Sequence, residues 1–279
     1  MNLGPVVNSA GNDVGVAVSK DGLSLYFNSN RPGTLGQSDI YVSQRASVDD
    51  PWGAPVNLGP TINGTANDTT PAFSRDGHWM FFSSTRSGGY GATDVYASWR
   101  EHVHDDFGWQ TPVNLGPNIN SASNDQQPAY FENDDGGAPQ LFVSSDRPGG
   151  LGGTDLYQSE LQPDGSWGPL TDITELNSTA NEGRPSLSHD GLDIYFFSNR
   201  PGGQGGNDIW VATRGSVDAP WSTPVNLGPA VNTSANDQAP DISSDGETLF
   251  FCSDHAGGSG ALDLWMSTRT KERGNSDHS

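Results

Sequence analysis

Two sets of residues in this sequence could do chemistry, and both recur at a nearly fixed interval. The first is an Asn-acid pair: Asn12-Asp13, Asn67-Asp68, Asn124-Asp125, Asn181-Glu182 and Asn236-Asp237. A ring of such groups could hold a polar ligand, and its carboxylate and amide oxygens would suit Ca²⁺. There is no Asp-x-Asp-x-Asp-Gly loop, so no metal and no cofactor is assigned. The second is a glycine-rich loop, Asn30-Arg31-Pro32-Gly33-Thr34-Leu35-Gly36-Gln37-Ser38-Asp39, which returns four more times. Four copies carry Arg (Arg31, Arg86, Arg147, Arg200) and the fifth carries His255. These arginines are expected to pair with carboxylates or backbone carbonyls on their own side of the molecule. Each loop ends in Asp (39, 94, 155, 208, 263), expected to accept N–H groups of its own loop or to pair with the loop Arg.

Departures from the repeat single out other candidates. Two residues past the Asn-acid pair stand Gly15, Thr70, Gln127, Arg184 and Ala239. Where other units carry Ala17, Ala72, Ala129 and Ser186, the fifth carries Asp241. Charged residues that break a repeat are what one specific site needs; a drifted pair joined by a salt bridge would look the same. Arg184, Glu182 and Asp241 are expected to converge, with Gln127 beside them. Glu182 and Asp241 are the candidate acids if the protein cleaves glycosidic bonds, which takes two carboxylates. No clearly non-repeat acid pair supports that step.

The remaining signals are bland. His102-Val103-His104-Asp105-Asp106 has ligand types but reads as a solvated loop. Cys252 sits in an apolar run and reads as a small buried hydrophobe. Asn63, Asn67, Asn177 and Asn232 fit the glycosylation sequon and read as turn chemistry. No nucleophile elbow, His-Glu-x-x-His pair or phosphate loop is present.

The elements that position these residues follow from the period. Asn2-Leu3-Gly4-Pro5 returns at residues 57, 114 and 226 and, diverged, at 171, in steps of 55, 57, 57 and 55. Each unit reads as a short strand, an Asp-Gly turn, an apolar strand, the ten-residue loop and a third strand. A Trp-bearing fourth strand then spans Trp52–Leu58, Trp109–Leu115, Trp167–Ile173 or Trp221–Leu227. Asp-Gly between apolar runs is a hairpin signal. Apolar residues on successive positions suit strands covered on both faces. Five four-stranded antiparallel units around one axis make an all-β, five-bladed β-propeller. The blades are read as about 2–56, 57–113, 114–170, 171–225 and 226–269 in one domain, with 270–279 a polar tail. The fifth unit has no Trp strand of its own, so Asn2 and Leu3 are expected to close it with a few bonds.

The loop pattern Asn/Asp-Arg-Pro-Gly-Gly-x-Gly-Gly-x-Asp-Ile/Leu-Tyr/Trp resembles the PD40 (WD40-like, TolB-type) propeller repeat over essentially the whole chain. That resemblance implies a bacterial protein of the periplasm or exterior, more often a binding platform than an enzyme. Net charge is −21 over 279 residues. Such acidity opposes nucleic acid. No apolar run approaches the ~20 residues of a membrane span. Met1–Pro5 lacks a charged start and an apolar core; a cytoplasmic location or a removed signal would both fit. The reading is a monomeric, non-enzymatic module binding a protein or a glycan. Its surface would be the face with the Asn-acid pairs and Arg loops: Asp13, Asp68, Asp125, Glu182, Asp237, Arg31, Arg86, Arg147, Arg200, with Gln127, Arg184 and Asp241. The alternatives are a glycan hydrolase or lyase with axial carboxylates, and a scaffold domain.

Overall fold

The computed structural model describes residues 1–134 and 136–269; the polar tail at 270–279 lies outside them. Its strands form five sheets. Blade one is β1 (Asp13–Val18), β2 (Ser24–Ser29), β3 (Asp39–Gln44) and β4 (Val56–Asn57), antiparallel in that order. Blade two repeats it with β5 (Asp68–Phe73), β6 (Trp79–Ser84), β7 (Asp94–Trp99) and β8 (Val113–Asn114). Blade three is β9 (Asp125–Phe131), β10 (Gln140–Ser145), β11 (Asp155–Glu160) and β12 (Thr171–Asp172). Blade four is β13 (Glu182–Leu187), β14 (Asp193–Ser198), β15 (Asp208–Thr213) and β16 (Val225–Asn226). Blade five is β17 (Asp237–Ile242), β18 (Thr248–Ser253) and β19 (Asp263–Thr268). The inner strands β1, β5, β9, β13 and β17 each pack on the next, and β17 packs on β1, so the ring closes. This is the expected five-bladed propeller.

The core lies between blades, not within them. Tyr26, Ile40 and Val42 of blade one bury against Met80, Phe82 and Tyr96 of blade two, and each other interface repeats the scheme. All six residues of β2 are buried, which is why its apolar residues do not alternate. The ten-residue loop locks neighbours through glycine. A Cβ on Gly36 would stand 1.8 Å from Ala66 O, and Gly91, Gly152, Gly205 and Gly260 meet the next blade's backbone the same way.

The fourth strands are shorter than expected. Only two residues pair in each of β4, β8, β12 and β16, with one further rung from the Trp segment, such as Gly53 N to Gln44 O at 2.8 Å. Prolines such as Pro51 and Pro55 remove donors there. The Trp instead lies under a guanidinium: Arg45 over Trp52 at 4.2 Å, Arg100 over Trp109 at 4.3 Å, Arg214 over Trp221 at 4.2 Å. Asn63 completes the rung: its amide accepts from Ile40 N and donates to Ile40 O, both 2.8 Å. Asn120, Asn177 and Asn232 do the same for their blades. Three of the four sequon asparagines are therefore buried structural groups rather than simple turn residues.

Blade five is closed by few bonds, as expected, in the register of the other blades. Asn2 pairs with Trp265, Met266 N donates to Met1 O at 2.8 Å, and Leu3 N donates to Leu264 O at 3.0 Å. Asn8 clamps Leu264 as Asn63 clamps Ile40.

The 102–106 segment is not simply a solvated loop. His102 and His104 are exposed, but Asp106 is only 3% exposed. Its carboxylate accepts from Ser24 Oγ (2.6 Å), Tyr26 OH (2.5 Å), Gln44 Nε2 (2.7 Å) and Arg100 Nη1 (2.9 Å). It thus joins blade two to blade one, and burial with this neighbouring charge raises the Tyr26 phenol well above its ordinary range. Removing one partner of a buried ion pair strands the other. Asp106→Ala is expected to lower unfolding stability by about 3 kcal/mol, read by denaturant titration. Glu101→Ala on the exposed neighbour, with under ~0.5 kcal/mol expected, is the control.

Candidate functional site

Call the side bearing the Asn-acid pairs and the glycine loops the loop face, and the side bearing the Asp-Gly turns the turn face. On the loop face every repeated charge is used by the fold. The five inner-strand carboxylates are fully buried. Asp13 accepts from Ser9 N (2.6 Å) and Ser9 Oγ (2.9 Å) four residues upstream, and from Arg31 Nη2 at 2.6 Å. Arg86–Asp68 and Arg147–Asp125 repeat that pair at 2.6 Å, and Arg200–Glu182 at 3.0 Å. Each Arg also donates to the carbonyl six residues before its acid: Val7, Ile62, Ile119 or Leu176. Aromatic rings stand beside the guanidinium, as Phe27 and Tyr41 do for Arg31 at 5.1 and 5.0 Å. The pairing expected of these arginines is present. The loop-end aspartates accept N–H groups of their own loops, as Asp39 does from Leu35 (2.6 Å) and Gly36 (3.1 Å).

Blade five breaks this clasp. Asp237 accepts from Thr233 N and Oγ1, but its Oδ1 is buried without a partner among the described residues, where the other blades supply Arg. His255, the substitute, lies against Trp265 with ring centroids 3.7 Å apart and faces Ala256 O.

The axis is built by a bulge that the sequence does not advertise. In all five inner strands the register slips once, between Val14 and Ala17 in β1 and at the matching place in the others. The bulged residue is left-handed each time: Gly15 (φ 68°), Thr70 (52°), Gln127 (56°), Arg184 (51°) and Ala239 (52°). Four are not glycine, so ring geometry overrides a local cost of about 1 kcal/mol or more each. Neighbouring blades hold three of these bulge N–H groups: Thr70 on Asn28 Oδ1, Gln127 on Ser83 Oγ, Arg184 on Ser144 Oγ. At the matching place Cys252 takes the N–H of Gly15, and burial pushes its thiol up to about 12, which removes it as a nucleophile.

Arg184 uses the bulge to cross the axis. Its guanidinium is buried and donates through Nη2 to Val16 O of blade one (2.7 Å) and Pro71 O of blade two (2.9 Å). Its Nη1 has no partner among the described residues. Burial lowers its pKa to about 10, with Asp241 acting the other way. Asp241 Oδ2 accepts from Val18 N (3.1 Å) and Oδ1 from Ser186 Oγ (3.4 Å), so it spans blades one, five and four. Burial raises this carboxyl to about 6, against the pull of Arg184.

Arg184 and Asp241 do share one cavity, but the expected three-way convergence fails. No ion pair joins them among the described residues, and Glu182 is clasped by Arg200 at the other end of β13. The reason is depth: Glu182 begins the inner strand, whereas Arg184 is the bulged residue two positions on and sends its guanidinium across the axis to Val16 and Pro71. Gln127 is nearby, its Oε1 accepting from Arg184 N at 3.0 Å.

The cavity, about 150 Å³, opens on the turn face, not on the loop face where the sequence suggested the functional surface. Arg184 and Asp241 lie on its axial wall, with Phe73, Tyr130 and Phe131 around them. Its rim is the residue that precedes each Asp-Gly turn: Lys20, Arg75, His189 and Ser244, with Glu132 in blade three. Sequence reasoning passed over all five. The signal was there: this one position differs in every unit between constant neighbours. Arg75 donates to Glu132 O at 2.5 Å and reaches Asp134 and His189, tying blades two, three and four together over the mouth. Tyr130 OH donates to Glu132 Oε2 at 3.2 Å.

No protein-family model matches this sequence, and no curated protein matches it. Among solved structures the fold is similar to an α-L-arabinofuranosidase from Lactobacillus brevis (12% identity, 96% of this chain and 93% of that one, TM-score 0.62). It is also similar to a GH43 endo-arabinanase from Bacillus licheniformis (15% identity, 95% and 94%, TM-score 0.62). TolB from Acinetobacter baumannii is a further match (17% identity, 95% and 56%, TM-score 0.56). At these identities the likeness is one of fold.

Two outcomes follow from the site. His255→Arg should fill the fifth clasp, pairing with Asp237 Oδ1, and raise stability by about 1 kcal/mol, or Tm by about 3 °C; Asp237→Asn should cancel that gain. Asp241 titrates higher folded than unfolded, so ionising it costs stability, and that cost appears as pH rises from 4 through 6. Relative to Asp241→Asn, the wild type should lose about 2 kcal/mol between pH 4 and 7.5, less than the two-unit shift implies because cavity water screens the charge. A pH-independent difference in denaturant titrations would show that the carboxyl is not held as described.

Proposed function

We propose that this propeller acts on glycans through the turn-face axial cavity, as a glycoside hydrolase, with Asp241 as the general acid. The observation that carries the reading is a carboxyl held near 6 in a half-enclosed, aromatic-walled cavity, which is what a proton donor to a glycosidic oxygen needs. Glu132, which lines the same cavity, is the candidate second carboxylate. The volume is that of about one six-membered ring. Two fold relatives named as an arabinofuranosidase and an endo-arabinanase support a glycan as substrate class.

The loop-face charges have no part in this reading, since each is bound within its blade. A second reading, sugar binding without turnover, is favoured by one observation: Glu132 is held by Tyr130 rather than free. The PD40 kinship and a place in the periplasm or outside the cell are proposed with it, supported by the loop motif and the similarity to TolB in fold. Among the described residues no helix is long and apolar enough to cross a membrane.

Reducing-sugar release from a panel of arabinan, xylan and bacterial polysaccharides tests the reading. Release by the wild type, cut about a hundredfold or more in Asp241→Asn with binding retained, is the expected result. Binding without release would leave the binding module; neither would remove the cavity as a glycan site.

A further inference from the structure

The cavity carries a charge that the fold leaves unanswered. Arg184 is 2% exposed, its Nη2 contacts are neutral carbonyls, its Nη1 is buried without a partner among the described residues, and the residue lines the cavity. A desolvated guanidinium without an ion-pair partner is costly, and its planar donors match a carboxylate. The rim adds Lys20 and Arg75, the latter already paired with Asp134. Three of only 13 Lys and Arg residues thus face one small cavity in a chain of net charge −21. Resting on the glycan reading above, we infer that the axial site takes an acidic sugar, a uronate, whose carboxylate docks on Nη1 of Arg184.

A monoanion fits better than a phosphate or sulfate ester. Only Nη1 of the guanidinium lacks a partner among the described residues, and the carboxyls of Asp241 and Glu132 stand in the same cavity, so a second negative charge would meet repulsion without a second buried donor. The ring of the sugar would lie among Phe73, Tyr130 and Phe131, whose faces suit its C–H surface.

The test compares a glucuronate-terminated disaccharide with its neutral, glucose-terminated counterpart by calorimetric titration of the full chain. The uronate should bind at least roughly tenfold more tightly, the value of one charge-assisted bond in a buried site. Arg184→Gln, which keeps a donor for the carbonyls, should erase that preference. If Arg184→Gln does not fold, the wild type still decides: the Arg184 guanidinium NMR signals should move on adding the uronate and stay fixed with the neutral sugar. Equal binding of the two sugars would overturn the inference and leave the glycan reading standing. Uronate binding that leaves the Arg184 signals unmoved would overturn it as well. Binding of neither sugar would remove both.

Discussion

Each of four blades depends on one buried clasp. A carboxylate at the start of the inner strand accepts two bonds from a Ser or Thr, or a backbone N–H, four residues upstream, and an arginine from the glycine loop closes on it. The pair would be a poor stabiliser if it only exchanged water for a partner. Here the same arginine also caps a carbonyl and lies against two aromatic rings, so one side chain ties the inner strand, the loop and the two middle strands. The loop can close on the next blade only because a glycine lets two backbones approach. Blade identity and ring closure are thus set on one face.

Fixing that face leaves the other free to vary. The inner strands diverge from their clasps, slip once at a left-handed bulge, and deliver different side chains to the axis. Four bulges carry residues that leave the axis open or touch a neighbour; the one at Arg184 sends a guanidinium across it to two other blades. That side chain lies on the axial wall of the cavity. Four of the turns above it share the Ser-x-Asp-Gly scaffold and differ at the residue before Asp, so the rim can change without cost to the hairpin. Symmetry supplies the scaffold and its local breakage supplies the site.

Asp241 and Asp106 illustrate how similar residues take different roles through their surroundings. Asp106 is buried among four donors, one of them a cation, and acts as a joint between blades. Asp241 has two weak donors and no ion pair among the described residues, so burial dominates and holds its proton to about 6. The first serves as a joint; the second is poised to give up a proton.

By itself the sequence determined the repeat, the strand order, the hairpin turns and the arginine clasp. All of these rest on contacts that recur within one unit, and a periodic pattern reports such contacts five times over. The length of the fourth strand was misread because Trp and Pro mark the segment without saying whether it pairs. The opening of the axis, the reach of Arg184 to Val16 and Pro71, the joint at Asp106 and the separation of Glu182 from Asp241 were decided only by the closed ring. Those contacts join residues 80 to more than 160 positions apart, or turn on which way a side chain points past a bulge. No spacing in the chain encodes them, because they exist only once five blades have met around one axis.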